Sequence, residues 1–266
     1  MKAISKQDLI LEAIIKAYLE DNLPVGSAEL QTKMSIGISA STIRSYFNKL
    51  CNEGILTQLH ISGGRIPTTN ALKKYWIEKL KTDTAIVFGS LNNIKNALRE
   101  YELYCALEFY DNEELKEVIK IQNRFLLLVF NNSEVTISYS DEAARFLNEL
   151  LGFNIYDLRS IASRVGFGEL CTKLDQMLVG KVLFQEGENV LYEMTRENDD
   201  RFLYDYFKNV KAILELKDGI YFEEIVPSGY MVVKRGAKIG NESAKMFCLG
   251  RLNTDFESFF NKAKEI

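Results

Sequence analysis

An α+β fold is predicted by three features of the sequence. The first eighty residues read as helix, turn, short helix, turn, helix and then a two-stranded hairpin, which is the order of a winged helix-turn-helix. The remainder reads as strands, a helical block and strands again, the pattern of an α+β domain interrupted by a helical insertion. The length, 266 residues, fits about two domains at roughly 150 residues each. We therefore expect a first domain over 1–82 and a second over 83–266, with the insertion at about 141–195.

The first helix is expected over 6–21. Ser5 is placed to cap it, Asp8 stands three residues on, and Ile10, Ala13, Ile14, Ala17 and Tyr18 recur at helical spacing. The helix stops near Asn22, before Pro24. Pro24-Val25-Gly26-Ser27 makes a turn ending in a capping serine, and a short helix runs from about Ala28 to Lys33. Ile36-Gly37-Ile38 turns again, and Ser39 caps a third helix reaching about Asn52. Its stripe of Ala40, Ile43, Phe47 and Leu50 leaves Ser41, Thr42, Arg44, Ser45 and Lys49 off the apolar side. Small, hydroxylated and basic groups are what a helix entering a DNA major groove needs: hydroxyls and Lys bond phosphates, and Arg reaches a guanine edge. Gly54 ends this helix. Ile55 to His60 and Arg65-Ile66 are read as the strands of the hairpin, around a Ser62-Gly63-Gly64 turn, so that His60 and Arg65 flank its tip. A further helix over 68–82 carries Leu72, Tyr75, Trp76 and Leu80 at core spacing.

Charge sharpens this picture. Lys plus Arg number 33 against 37 Asp plus Glu, a net charge of −4. Residues 31–81, however, hold eight basic groups against Glu53 and Glu78, a local +6. A basic segment on an acidic chain points to a local anionic partner. Other classes are disfavoured. His60 is the single histidine, so a Ser-His-Asp or Cys-His machine is improbable, and nucleotide-binding glycine motifs and H-E-x-x-H are absent. The four cysteines have no C-x-x-C spacing, which argues against structural zinc and for a reducing, cytoplasmic setting. The longest apolar run, Phe125 to Phe130, is too short to span a membrane. No enzyme, cofactor or metal is expected.

Four runs carry a family resemblance: Pro24-Val25-Gly26-Ser27, Ser39 to Arg44 (SASTIR), Leu50 to Gly54 (LCNEG) and His60 to Thr68 (HISGGRIPT). In order and spacing they resemble the P-V-G-S, S-x-A-T-I-R-N, L-E-x-x-G and H-T-S-A-G-R-x-P-T segments of the heat-inducible transcription repressor family HrcA. The close match covers roughly residues 10–76, and Leu147 to Gly152 is similar to the family's L-N-x-x-L-x-G stretch. Ala28 stands where a basic residue is usual, Ser45 where Asn is usual, and Ala71-Leu72-Lys73 where G-Y-R is usual. The resemblance implies a repressor of chaperone operons that binds double-stranded operator DNA, an inverted repeat, as a homodimer. It also implies a dependence on the GroEL chaperonin, with release under heat stress. The implied fold is a winged helix followed by a GAF-like domain with an inserted dimerisation segment. Ser39, Ser41, Thr42, Arg44, Ser45, Lys49, His60 and Arg65 are the expected DNA-binding set. The alternative is a winged-helix regulator that senses a small molecule in a pocket of its aromatic-rich C-terminal domain.

In that C-terminal part, strands are expected at Thr84 to Phe88, in a hairpin of Phe125 to Phe130 with Val135 to Tyr139, at Lys181 to Phe184, and at Ile220 to Val226, Tyr230 to Lys234 and Met246 to Leu249. Helices are expected over 91–100, 141–151, 155–165, 168–179 and 199–215, and Tyr101 to Phe109 is left open between strand and helix.

Overall fold

The computed structural model describes residues 5–34, 37–60, 63–110, 113–178, 183–240 and 242–264. Helix α1 spans Lys6–Asp21, and its start is closed by a reciprocal capping box between Ser5 and Asp8. Asn22, in the left-handed region at φ 56°, ends it. Helix α2 covers Ser27–Lys33; Gly26, not Ser27, is its N-cap, and the Glu29 carboxylate accepts the Gly26 N–H at 3.3 Å. The expected turn through Ile36 lies partly outside the described residues. Helix α3 runs Ala40–Asn52, with Ser39 Oγ accepting the Thr42 N–H. Ile10, Ile14, Leu30, Ile43, Phe47 and Leu50 form the core that packs these helices together. Each such buried apolar side chain contributes about 1.5–3 kcal/mol relative to exposure.

The hairpin is shorter than expected. Strands β1 (Leu56–Thr57) and β2 (Ile66–Pro67) pair antiparallel, Leu56 opposite Pro67 and Thr57 opposite Ile66. Residues 58–60 leave the ladder, and the expected turn reaches Ser62, which with Ile61 lies outside the described residues. Val25 adds a bridge to Arg65, each N–H meeting the other's carbonyl at 2.9 Å. Gly64 permits this: a Cβ there would stand 2.6 Å from Pro24 and Val25 backbone atoms. Helix α4 covers Thr69–Lys79.

The chain continues through β3 (Ile86–Phe88), α5 (Leu91–Glu100) and β4 (Tyr104–Tyr110), which resolves the open segment as a strand. A three-stranded antiparallel sheet follows: β5 (Glu117–Ile121), β6 (Phe125–Val129) and β7 (Glu134–Ser138). Helices α6 (Asp141–Asn148), α7 (Ile155–Arg164) and α8 (Gly168–Leu178) come next. Strand β8 is Leu183–Glu186; the expected Lys181 and Val182 lie outside the described residues. Then come α9 (Glu188–Asn198), α10 (Arg201–Lys208), α11 (Lys211–Leu214), β9 (Gly219–Tyr221), β10 (Tyr230–Ile239), β11 (Glu242–Arg251) and α12 (Phe256–Lys264). A six-stranded sheet has the order β3-β10-β11-β4-β8, with β9 on β10. β3 runs parallel to β10, and Tyr230 through Arg235 are all buried, as befits a central strand.

The compact units do not divide at 82/83. One comprises 1–106, 185–240 and 246–266; the other comprises 107–184 and 241–245. The physical reason for the first grouping is Trp76. It is fully buried, donates its indole N–H to the Leu252 carbonyl at 2.8 Å and meets Phe256 edge-on at 5.7 Å. Lys79 adds contacts to Glu12 and Glu257, and Asn253 donates to Asn22 at 2.8 Å. The interrupting unit also begins earlier than the helical insertion expected at 141–195, because the β5–β7 sheet belongs to it. Its core joins Leu126, Leu128 and Ile137 of that sheet to Leu147, Leu158, Leu170 and Leu174 of α6–α8.

Candidate nucleic-acid interface

At 100° per residue, Ile43, Phe47 and Leu50 turn one side of α3 into the core, and Ser41, Ser45, Asn48 and Asn52 fall on the opposite side. These four are exposed, as are Thr42, Arg44 and Lys49 on the flanks. The outward side of α3 is therefore a surface of hydroxyls and amides bordered by cations, with no acid before Glu53.

The expected residues have different environments. Ser39 is exposed, but its hydroxyl is occupied with the helix start: it accepts the Thr42 N–H at 3.2 Å and lies 2.9 Å from both Ser41 Oγ and Thr42 Oγ1. Arg44 reaches toward α2 and donates from Nη2 to Ser27 Oγ at 3.4 Å. Lys49 lies 3.9 Å from Glu53, whose other oxygen accepts from Gln7 at 2.9 Å. His60 is exposed beyond the end of β1, its carbonyl accepting the Gly63 N–H. Arg65 is not an outward clamp at the hairpin tip. Its half-buried side chain folds back, donating from Nη1 to the Gly63 carbonyl at 3.1 Å and from Nη2 to Asn48 Oδ1 at 3.5 Å. The cause is the Val25 bridge, which fixes the Arg65 backbone against the turn before α2. Ser27, Arg44, Gln58 and Arg65 line a shared recess of about 330 Å³.

The local positive charge is also redistributed. Lys33 faces Glu20, Asp21 and Glu29; Lys49 faces Glu53; Lys73 pairs with Glu223; Lys74 faces Glu78; and Lys79 lies between Glu12 and Glu257. The bonds to Lys79 and Lys16 hold the Glu12 carboxyl below its ordinary range, and the Lys73 ammonium does the same for Glu223. Among the described residues, Arg44, Arg65 and Lys81 are the members of the basic segment that meet no carboxylate within ion-pair distance. Two of those three stand at α3 and the hairpin.

Asn48 is not among the residues that the sequence points to. An exposed asparagine in a helix carries little signal by itself; its spacing of four from Arg44 and three from Ser45 was the available clue.

The architecture is thus that of an α+β protein with a helical N-terminal module and a polar, cationic helix face. Comparison with known proteins makes the assignment particular. The family model described as the HrcA C-terminal domain matches residues 76–266. Two Helicobacter pylori proteins named "Heat-inducible transcription repressor HrcA", from strains J99 and 26695, are each 31% identical to the chain. The alignments cover 97% and 98% of this chain and 94% and 96% of theirs. A protein of the same name from Leptospira biflexa is 42% identical over 112 residues, 42% of this chain and 31% of its own. The chain belongs to the HrcA family.

Proposed function

We propose that this protein is a transcriptional repressor of heat-shock chaperone operons and not an enzyme. Residues up to 82 act as a winged helix-turn-helix, and the rest acts as a GAF-like regulatory part carrying the inserted unit. The observation that carries this reading is the outward side of α3, polar throughout and bordered by an arginine that no carboxylate neutralises. The names borne by the relatives agree with it. A B-DNA major groove, about 12 Å wide, admits one helix. With α3 in it, Arg44 reads a base edge, Ser39, Ser41, Thr42, Ser45 and Lys49 approach phosphates, and His60 and Arg65 bring the hairpin beside the backbone.

An inverted-repeat operator matches a two-fold homodimer. Support for self-association comes from the β5–β7 sheet. Leu126 and Leu128 point into its helical layer, so Phe125, Leu127 and Val129 take the other side, joined there by Ile119 and Ile121 across the ladder. Ile119, Ile121 and Phe125 are exposed, an apolar face that a second copy would cover. The candidate surface is therefore at 117–129, ahead of the segment expected from sequence. Release follows when heat-unfolded proteins occupy a GroEL-type chaperonin that otherwise maintains the repressor. The described residues contain no helix long and apolar enough to cross a membrane, and operator binding places the protein with the DNA in the cytoplasm.

Fluorescence anisotropy tests this reading, using the full chain on an inverted-repeat chaperone operator and on a scrambled duplex, with and without chaperonin. The expected result is operator binding that weakens steeply with salt and strengthens when chaperonin is added. Equal, weak binding to both duplexes under both conditions contradicts it and turns attention to the small-molecule alternative.

A further inference from the structure

We propose that Asn48 reads an adenine in each half-site, and that Arg65 is the positioning residue that orients its amide. This rests on the DNA-binding reading above and specifies what the α3 surface recognises. Three observations lead to it. Asn48 stands on the exposed stripe one turn after Arg44 and Ser45, on the same side of α3 that would face a groove. It is also the amide beside the hairpin. Finally, the group facing it is a guanidinium, 3.5 Å from Oδ1.

A guanidinium only donates. Of the two ends of the Asn48 amide, only the oxygen can therefore face Arg65, which places the NH₂ group on the other branch. Arg65 itself has little freedom. Its backbone is bridged to Val25, and the Gly64 turn is packed against Pro24 with no room for a Cβ. A second of its nitrogens, Nη1, is anchored on the Gly63 carbonyl at 3.1 Å. The amide is thus presented in one orientation, with an acceptor toward the hairpin and a donor away from it. Adenine offers the complement in the major groove, a donor at N6 and an acceptor at N7. Guanine offers two acceptors, one of which would oppose Oδ1, and cytosine offers only a donor. Oδ1 has two lone pairs and can serve Arg65 and N6 together. Neither Ser41 nor Ser45 makes this distinction, because a hydroxyl both donates and accepts at one atom.

Selection from duplexes randomised in both half-sites, with full-length protein, tests the proposal. Wild type should enrich a motif containing one adenine position per half-site that Asn48→Ala flattens, losing roughly five- to 150-fold of preference there while the other positions persist. Asn48→Asp should move the same position toward cytosine, since a carboxylate accepts from N4. Arg65→Ala should flatten that position first, and Arg65→Lys should restore part of it; a merely structural Arg65 would instead weaken all positions alike. Melting curves of the Asn48 variants should overlay that of wild type, as befits an exposed side chain. An unchanged motif for Asn48→Ala overturns the proposal and leaves the DNA-binding reading standing. Failure of wild type to enrich any motif overturns both.

Discussion

On α4, Lys73, Lys74 and Lys79 each face a carboxylate, whereas at α3 and the hairpin Arg44 and Arg65 face none. The two regions contribute similarly to the basic excess of residues 31–81, yet their charges have different fates. The carboxylates that neutralise α4 come from Glu12, Glu78, Glu223 and Glu257, mostly distant in sequence. α4 is thus a structural helix, fastened by Trp76 and decorated with ion pairs, while Arg44 on α3 and Arg65 on the hairpin meet no carboxylate. Net charge along a sequence overstates an electrostatic footprint whenever the fold returns acids to it.

The comparison can be broken most forcefully at Trp76. Trp76→Ala removes a fully buried indole, its bond to Leu252 and its edge contact with Phe256. A loss of about 3–5 kcal/mol of stability is expected, read by denaturant unfolding, and a loss below about 1 kcal/mol would deny α4 its anchoring role. Arg44→Ala comes next. It should cost about 1–3 kcal/mol of operator binding and relax one base position, with the unfolding curve unmoved because Arg44 is exposed. Wild-type binding by this variant would remove Arg44 from the reading set.

Smaller effects separate local helix chemistry from recognition. Ser39→Ala deletes the α3 cap and should cost about 1 kcal/mol in stability, with any binding loss following from fraying of the first turn. Lys79→Ala probes the paired side. The folded-state pKa of Glu12 is depressed by Lys79 and Lys16. Its stabilising contribution is therefore present above the ordinary carboxylate pKa and is lost as pH falls through the folded value. Removing Lys79 should flatten the acid limb of the stability curve slightly, by about 1 kcal/mol or less for such a half-buried, solvent-screened pair. An acid limb identical to wild type would show that the pair contributes nothing measurable.

How legible the molecule was in its sequence follows from how local the determinants are. α1 and α3 were readable because Ser5, Asp8 and Ser39 cap them within four residues and their apolar spacing lies in one window. β5 is not legible because Lys120 interrupts the short run of Val118, Ile119 and Ile121, and its pairing with β6 is set by register, not composition. α9 is not legible because its N-cap, Gly187, supplies no capping side chain and its charged residues dilute the buried Val190, Leu191 and Met194. The span expected as one helix over 199–215 breaks at Asn209. At the candidate interface, Arg44 and the serines followed from helix phase alone. Arg65 did not: its inward turn depends on a bridge to Val25, forty residues away, and the importance of Asn48 depends on Arg65.

The most direct test of the central claim is the salt dependence of operator affinity for three full-length proteins: wild type, Arg44→Ala and the double variant Lys73→Ala/Lys79→Ala. The account predicts that the double variant keeps the wild-type affinity and log–log slope. Arg44→Ala should lose roughly five- to 150-fold in affinity, the binding equivalent of 1–3 kcal/mol. If the double variant instead shows a shallower slope, by about 0.9 for each lost phosphate contact, while Arg44→Ala binds normally, the DNA-facing side of the molecule is α4 and the assignment of α3 is contradicted.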